Sequence, residues 1–388
     1  MENIHKNNKK KKTLLFVIPT LEIGGGAERI ASVLSKKLSK YYNIYILTFY
    51  EQKKNYPFGG NYNSLYSSGS NWKKLFLPIQ ICKVLRNISP DLIISFIDYV
   101  NSLLILIKLL FRIKIPLFIC NHTNPLSHYQ KSDRYLNILI PILYSSTYVD
   151  KIITIADHIK EILKEYYGIN NNKIKTIYNG IDLNDINRLK EEEIKEERYR
   201  TILNDKSFIK FITMGRLIPI KGHRYLINAF AEFKKENPKS KLFILGEGPL
   251  KKSLTQLAKN KQVLDDIFFL GLQSNPYKFL CKSDIFILPS LIEGLPMSII
   301  EAMACKLPVI ATRCKSGIEE ILKDGKYGIL VDSKNSSALA REMINLTKNP
   351  SLRKKYSELS SQRVQYFDIN KIIKSWVKTI EKEIALKG

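Results

Sequence analysis

Residues 285–301 read Ile-Phe-Ile-Leu-Pro-Ser-Leu-Ile-Glu-Gly-Leu-Pro-Met-Ser-Ile-Ile-Glu, and their order decides the fold. The apolar run Ile285–Leu288, closed by Pro289-Ser290, predicts a buried strand. Pro296 suits the first turn of a helix that starts near Met297. Strand, short loop and helix start are how an open α/β sheet presents groups to a ligand at the carboxyl ends of its strands. Glu293 stands in that loop and Glu301 in the helix. Backbone N–H groups at a helix start favour anions, so carboxylates placed there predict hydroxyls to be bound beside a phosphate. A polyhydroxylated ligand carrying phosphate, such as a nucleotide sugar, has both. The plainer reading is that both glutamates merely suit the helix macrodipole and solvent. The motifs on either side decide between the two.

Upstream and downstream, strands and helices alternate. The amino-terminal half offers strands at Thr13–Pro19, Ile44–Phe49, Asp91–Phe96, Ile115–Cys120, Lys151–Ile155 and Lys175–Tyr178, with helices at Ala27–Lys40 and Pro78–Asn87. Gln52–Asn71 is polar and reads as a long binding loop. A second series restarts at Phe208–Met214 and continues through Lys241–Leu245, Ile267–Leu270, Ile285–Leu288, Val309–Ala311 and Gly328–Val331. This is a doubly wound α/β pattern. Asn184–Glu197 is almost wholly polar, which sets a boundary near residues 185–205. The expected division is therefore an α/β domain over 1–190, a second over 200–368 and a terminal helix over 369–388.

At 388 residues the chain exceeds what one core usually supports. Its 62 basic and 36 acidic side chains give a formal charge of +26, a field that attracts polyanions such as anionic lipid surfaces or diphosphate substrates. Nucleic acid would call for a recognised module or basic residues interleaved with aromatics on one face, and neither is evident. The five cysteines, Cys82, Cys120, Cys281, Cys305 and Cys314, form no C-x-x-C pair and read as buried free thiols of a reducing compartment. Met1–Lys12 lacks an apolar signal core. Ser102–Phe118 is interrupted by Lys108, Arg112, Lys114 and Pro116, so it reads as helix plus strand, not a membrane span. A cytoplasmic protein with peripheral membrane contact is expected.

Gly215-Arg216-Leu217 follows the first strand of the second series, and Lys221-Gly222 precedes a helix from about His223. A guanidinium, an ammonium and a helix start together suit a diphosphate. Gly246-Glu247-Gly248-Pro249 follows the next strand, and such a turn permits close backbone approach by a ligand. Gly24, Gly25 and Gly26 follow the first strand of the amino-terminal half in the same topological position. His122 follows Ile115–Cys120 at a strand end.

The set Gly215-Arg-Leu, Lys221-Gly, Gly246-Glu-Gly-Pro, Ser283-Asp, Leu288-Pro-Ser and Glu293-Gly with Glu301-Ala resembles the retaining GT-B glycosyltransferases called glycosyl transferases group 1. Gly24-Gly-Gly-Ala-Glu28-Arg29 and Asn179-Gly-Ile-Asp182 add to the resemblance, which spans essentially the whole chain. It implies two Rossmann-like domains facing a central cleft, with the terminal helix crossing back to the first. It implies an enzyme that builds lipid-linked oligosaccharide, capsule or O-antigen chains at the inner face of a membrane. By the same resemblance Arg216 and Lys221 hold the donor diphosphate, Glu293 meets the transferred sugar and Glu301 the ribose. Gly246 and Glu247 border the donor, and the backbone of Gly294, Leu295, Pro296 and Met297 approaches the distal phosphate. Gly25 and Gly26 line the cleft, and His122 lies near the sugar. No metal or separate cofactor is expected, and the implied partners are a UDP-sugar donor and a polyprenyl-diphosphate-linked glycan acceptor. A sugar-nucleotide 2-epimerase of the same architecture, or a transferase with a soluble acceptor, are the alternatives.

Overall fold

A computed structural model of the protein describes residues 11–22, 25–51, 56–66, 76–122, 134–314 and 316–387. The chain divides into two compact units. Unit 1 is drawn from Met1–Ile155, Lys160–Ile177 and Ile373–Gly388, and unit 2 from Ala156–Ile159 and Tyr178–Ile372.

Unit 1 opens with β1 (Thr13–Ile18), α1 (Gly26–Leu38), β2 (Asn43–Tyr50) and β3 (Asn61–Tyr66). It continues through α2 (Leu77–Ile88), β4 (Leu92–Ser95), α3 (Asp98–Leu110), β5 (Leu117–Asn121), α4 (Arg134–Ser145) and β6 (Lys151–Thr154). Helix α5 (Asp157–Glu165) begins among residues of unit 2 and ends among those of unit 1, and β7 (Ile174–Thr176) completes the sheet. The seven strands run parallel in the order β3-β2-β1-β4-β5-β6-β7.

In unit 2, α6 (Leu183–Leu189) and α7 (Glu197–Asn204) precede β8 (Ile209–Met214), α8 (His223–Glu236), β9 (Ser240–Leu245), α9 (Lys251–Asn260) and β10 (Ile267–Gly271). Then follow α10 (Tyr277–Leu280), β11 (Ile285–Leu288), α11 (Met297–Ala304), β12 (Val309–Arg313), α12 (Gly317–Leu322) and β13 (Ile329–Asp332). Helices α13 (Ser336–Lys348), α14 (Pro350–Val364) and α15 (Ile369–Lys387) end the chain. The six strands are again parallel, in the order β10-β9-β8-β11-β12-β13.

Each sheet is covered on both faces, which is why its central strands are apolar runs and not alternating ones. Phe211, Phe230, Phe233, Ile244 and Ile285 build the core of unit 2, with the Phe211 and Phe233 rings 4.9 Å apart in an edge contact. Both sheets reverse their winding once, between β1 and β4 in unit 1 and between β8 and β11 in unit 2. Loops that leave such a switch point diverge and open a crevice at the carboxyl ends of the strands.

Four expectations need correcting. Within the polar stretch Gln52–Asn71 lies β3, an edge strand paired with β2. Its alternating Asn, Ser and Tyr residues hid it, because only one partner strand covers it. The supposed linker Asn184–Glu197 carries α6 and part of α7 and seals itself to unit 2 with Ile186 and Ile194. The division between units therefore falls at Ile177/Tyr178, earlier than residue 190, whereas the grouping of residues from Ile373 onward with unit 1 agrees with the expected return of the terminal helix. Cys82, Cys120 and Cys314 are buried as expected, but Cys281 is exposed and Cys305 only partly covered. Lys108, one of the cations that interrupt Ser102–Phe118, is buried, donates to the Tyr148 carbonyl at 2.9 Å and lies 3.7 Å from Asp150. Burial lowers its pKa to about 8, with Asp150 opposing the shift. Among the described residues no helix is long and apolar enough to cross a membrane.

Candidate active site

The crevice-forming loops of unit 2 are stitched to one another by backbone bonds. Leu217 N donates to Glu247 O at 2.8 Å, Leu250 N to Leu217 O at 3.0 Å, and Leu291 N to Ile220 O at 2.8 Å. The loops after β8, β9 and β11 are thereby fixed as one surface. Two glycines make the approach possible. Gly222 has φ +67, and a Cβ there would stand 1.9 Å from the Pro289 carbonyl oxygen. Gly246 has φ +140, and its Cβ would meet the Gly215 oxygen at 2.0 Å.

Because Gly222 presses the β8 loop onto Pro289, Lys221 reaches across the switch point. Its Nζ lies 2.6 Å and 2.8 Å from the two oxygens of Glu293. Ser290 Oγ donates to the same carboxylate at 2.7 Å. Glu293 is 8% exposed and Lys221 20%, so this is a largely desolvated ion pair whose remaining lone pairs are partly satisfied by the hydroxyl. The sequence reading gave these two residues different ligand groups, a phosphate and a sugar hydroxyl. In the free protein they bond to each other.

The chain then turns through Gly294, Leu295 and Pro296 into α11. Pro296 occupies the N-cap (φ −73, ψ 99), one position before the helical turn for which its ring is suited. Gly294 O accepts from Gly317 N at 2.7 Å, so the start of α12 braces the loop. Gly317 permits this, since a Cβ there would lie 2.7 Å from Gly294 O. Ser316 caps α12 by accepting from Ile318 N. Glu301, one turn into α11, is 1% exposed and accepts from the Tyr277 hydroxyl at 3.2 Å. It is no solvent-facing helical residue, so the plainest reading of this carboxylate fails.

Arg216 is exposed at the end of β8, and its guanidinium has no hydrogen bond or ion pair among the described residues. Glu247 is likewise exposed, beside Gly271. His223 opens α8, is 3% exposed, and has both ring nitrogens unpaired. Burial, with Lys221 adding to it, lowers its pKa to about 4, so the ring is neutral at ordinary pH.

The remaining expected residues belong to unit 1. Gly25 N-caps α1 with the Glu28 carboxylate folded over it: a Cβ at Gly25 would lie 1.8 Å from Glu28 Oε2. A Cβ at Gly26 would meet nothing within 4 Å, so its backbone borders open space. Gly24 lies outside the described residues. His122 follows β5, its ring stacked on Phe96 at 5.9 Å and 20°. Its Nε2 is buried without a partner, and burial, opposed by Asp98, lowers its pKa to about 4.

Sequence reasoning gave no role to three residues that shape these sites. Ser290 holds Glu293, Tyr277 holds Glu301, and Asp98 accepts from Tyr144 at 3.1 Å and Asn121 at 3.4 Å beside His122. Asp98 stands just past the carboxyl end of β4, the same address as His122 after β5, which is a usable signal. Tyr277 lies 24 residues from its partner with no local cue. Two motif elements prove architectural. Gly180 lets the chain approach Ile369, where a Cβ would meet Ile369 Cα at 2.9 Å, and Asp182 caps α6. Asp284 accepts from Lys210 N at 2.8 Å and anchors the start of β8. Among the described residues no group of three or more His, Cys, Asp or Glu side chains could hold a metal ion.

Comparison with known proteins places this geometry among relatives. Residues 194–363 match the family model of glycosyl transferases group 1, and residues 24–185 that of glycosyltransferase family 4. The chain is 33% identical, over 97% of its length and all of the relative's, to an uncharacterized glycosyltransferase of Methanocaldococcus jannaschii. It is 30% identical, over 91% of its length and 95% of the relative's, to the N-acetylgalactosamine-N,N'-diacetylbacillosaminyl-diphospho-undecaprenol 4-alpha-N-acetylgalactosaminyltransferase of Campylobacter jejuni. Among solved structures, Anabaena HepE in complex with UDP superposes with a TM-score of 0.77 at 19% identity, covering 96% of this chain and all of HepE. That likeness speaks for the GT-B fold.

Proposed function

This chain belongs to the glycosyl transferases group 1 family and is a glycosyltransferase, and we propose that it moves a hexose or N-acetylhexosamine from a UDP-sugar to a glycan carried on a polyprenyl diphosphate. The observation that carries the donor half is the Lys221–Glu293–Ser290 cluster at the switch point of unit 2, directly before the amino end of α11. A diphosphate brought to this point meets the Lys221 ammonium, the unpaired Arg216 guanidinium and the first-turn N–H groups of α11. These groups neutralise the charge that develops on the departing nucleotide, and such preorganised charge is the main source of rate acceleration in a transfer of this kind. As the diphosphate recruits Lys221, the Glu293 carboxylate becomes available to sugar hydroxyls. Glu301 receives the ribose hydroxyls alongside Tyr277.

The reaction proceeds with retention of configuration, and it needs no metal because the cations and the helix end supply the charge. Acceptor recognition is assigned to unit 1, where Gly26, Asp98 and His122 stand at the carboxyl ends of β1, β4 and β5. The Campylobacter relative, named for transfer to a diphospho-undecaprenol glycan, supports a lipid-linked acceptor, and the UDP complex of HepE supports a uridine donor. Such an acceptor would be met at the cytoplasmic face of a membrane.

A thermal-shift screen with UDP, GDP and ADP is the first test: UDP raises Tm and the others do so less. No shift with any nucleotide overturns the reading. Transfer from UDP-GalNAc and UDP-GlcNAc to short-chain polyprenyl-diphosphate glycans then tests the acceptor, with the anomeric configuration of the product read by NMR. Formation of an epimeric sugar nucleotide without acceptor would instead establish an epimerase.

A further inference from the structure

We propose that the outer face formed by α2, α3 and α4 of unit 1 docks onto a bilayer rich in anionic phospholipid. Single exposed apolar residues are ordinary, whereas a contiguous patch marks an interaction surface. Among the described residues fourteen large hydrophobic side chains are exposed, and nine of them lie between Phe76 and Ile142. On α3, Leu106, Leu109 and Leu110 fall three and four apart on one outward stripe, with Leu110 72% exposed. The neighbouring helices contribute Ile79 from α2, 60% exposed, and Ile142 from α4, 64% exposed. These helices are neighbours in the order α2, α3, α4. Water gains nothing from this patch, and a hydrocarbon boundary does.

Charge identifies the partner. On α2 the stripe that begins with Ile79 continues into Lys83 and Arg86, and α3 is followed by Arg112 and Lys114. All four cations are exposed, and none has an ion pair among the described residues. Neither α2 nor α4 contains an acidic residue, and the lone acid of α3, Asp98, is engaged with Tyr144 and Asn121. Apolar side chains bordered by unpaired cations match the boundary between acyl chains and anionic headgroups, where hydrophobic and electrostatic attraction add. A recess of about 330 Å³ adjoins this face, walled by Leu85, Pro90, Phe111 and Ile115 with Arg86 at its rim, and gives a lipid chain room to enter. The whole arrangement suits attachment to a bilayer from one side.

The inference deepens the lipid-linked reading by naming the surface that meets the acceptor's membrane, yet vesicle binding requires neither donor nor acceptor. The two can therefore fail separately. The full-length protein is floated with vesicles of equal phosphatidylglycerol and phosphatidylcholine, and with phosphatidylcholine alone. Wild type is expected to float with the anionic vesicles and to be released by 0.5 M NaCl, a concentration of about that order being enough to screen surface charges. Lys83→Gln with Arg86→Gln should lower the partition coefficient on the order of thirtyfold, from about fivefold per basic residue. Ile79→Asn with Leu110→Asn should lower it about tenfold or more, with Tm and activity on a water-soluble acceptor fragment unchanged. Equal binding to both vesicle types, or binding indifferent to both variant pairs, overturns the proposal. So does a wild-type dimer that the Leu110 variant converts to monomer without changing flotation, which would make the face a contact between copies.

Discussion

The pairing of Lys221 with Glu293 makes a quantitative demand on the free protein. At roughly 3 Å and an effective dielectric near 20, the attraction is about 5–6 kcal/mol, most of it offset by desolvation of both charges. Removing only one partner forfeits the attraction without recovering the desolvation. Lys221→Met leaves Glu293, 8% exposed, with the Ser290 hydroxyl still bonded to it but no counter-charge, and is expected to cost about 3–5 kcal/mol. Glu293→Gln leaves an ammonium that is 20% exposed and can turn to water, so about 1–3 kcal/mol is expected. The double variant has neither charge, and its loss should fall short of the sum by about 2 kcal/mol or more. Urea unfolding of the four proteins without ligand measures each loss. Additivity within about 0.5 kcal/mol would refute the pair. In that case Lys221 and Glu293 act on the donor as independent groups, as the sequence alone suggested.

Other consequences are simpler to check. Glu301→Gln should weaken UDP binding by isothermal titration far more than Glu293→Gln, which should lower kcat while leaving UDP affinity nearly intact; the reverse order would exchange their roles. Gly222→Ala, forced to φ +67 against the Pro289 oxygen, should destabilise by at least about 1–3 kcal/mol in urea. Gly26→Ala meets no atom within 4 Å and should leave stability unchanged, so a lowered kcat/KM there would mark a ligand-facing backbone. His223 has its pKa depressed to about 4, so the unfolded chain binds its proton first as pH falls. Stability is complete above about pH 6.5 and declines toward pH 4, by about 3 kcal/mol from this ring. His223→Gln should flatten the urea midpoint between pH 7 and 5 relative to wild type, and an unchanged slope would dismiss the buried neutral ring as its cause.

Much of the fold was legible because parallel strands buried on both faces advertise themselves as apolar runs. Ile285–Leu288 announced β11, and its loop announced a site at the sheet edge. β3 gave no such signal, since an edge strand with one paired side needs little apolar surface. The stretch around residue 190 misled for a related reason: Ile186 and Ile194 are enough to seat a short helical segment among many charges. Of the candidate site, residue types and loop addresses were readable, whereas partnerships were not. Lys221 and Glu293 are 72 positions apart, and only strand order, β8 beside β11, makes them neighbours. Tyr277 escaped notice for the same reason.

The return of the last helix bears on how the protein is made. Residues from Ile373 pack with unit 1, with Trp376 and Ile380 buried and Lys387 bonded to Asp150 at 2.9 Å. Unit 1 therefore emerges from the ribosome early but lacks a wall until all of unit 2 has been translated. During that interval the apolar surface that Trp376 and Ile380 will cover is left exposed, the condition under which a nascent domain is prone to aggregate. A nonsense mutation or tag that disturbs these last turns would damage the unit encoded first, and expression yield would register it before any assay of catalysis.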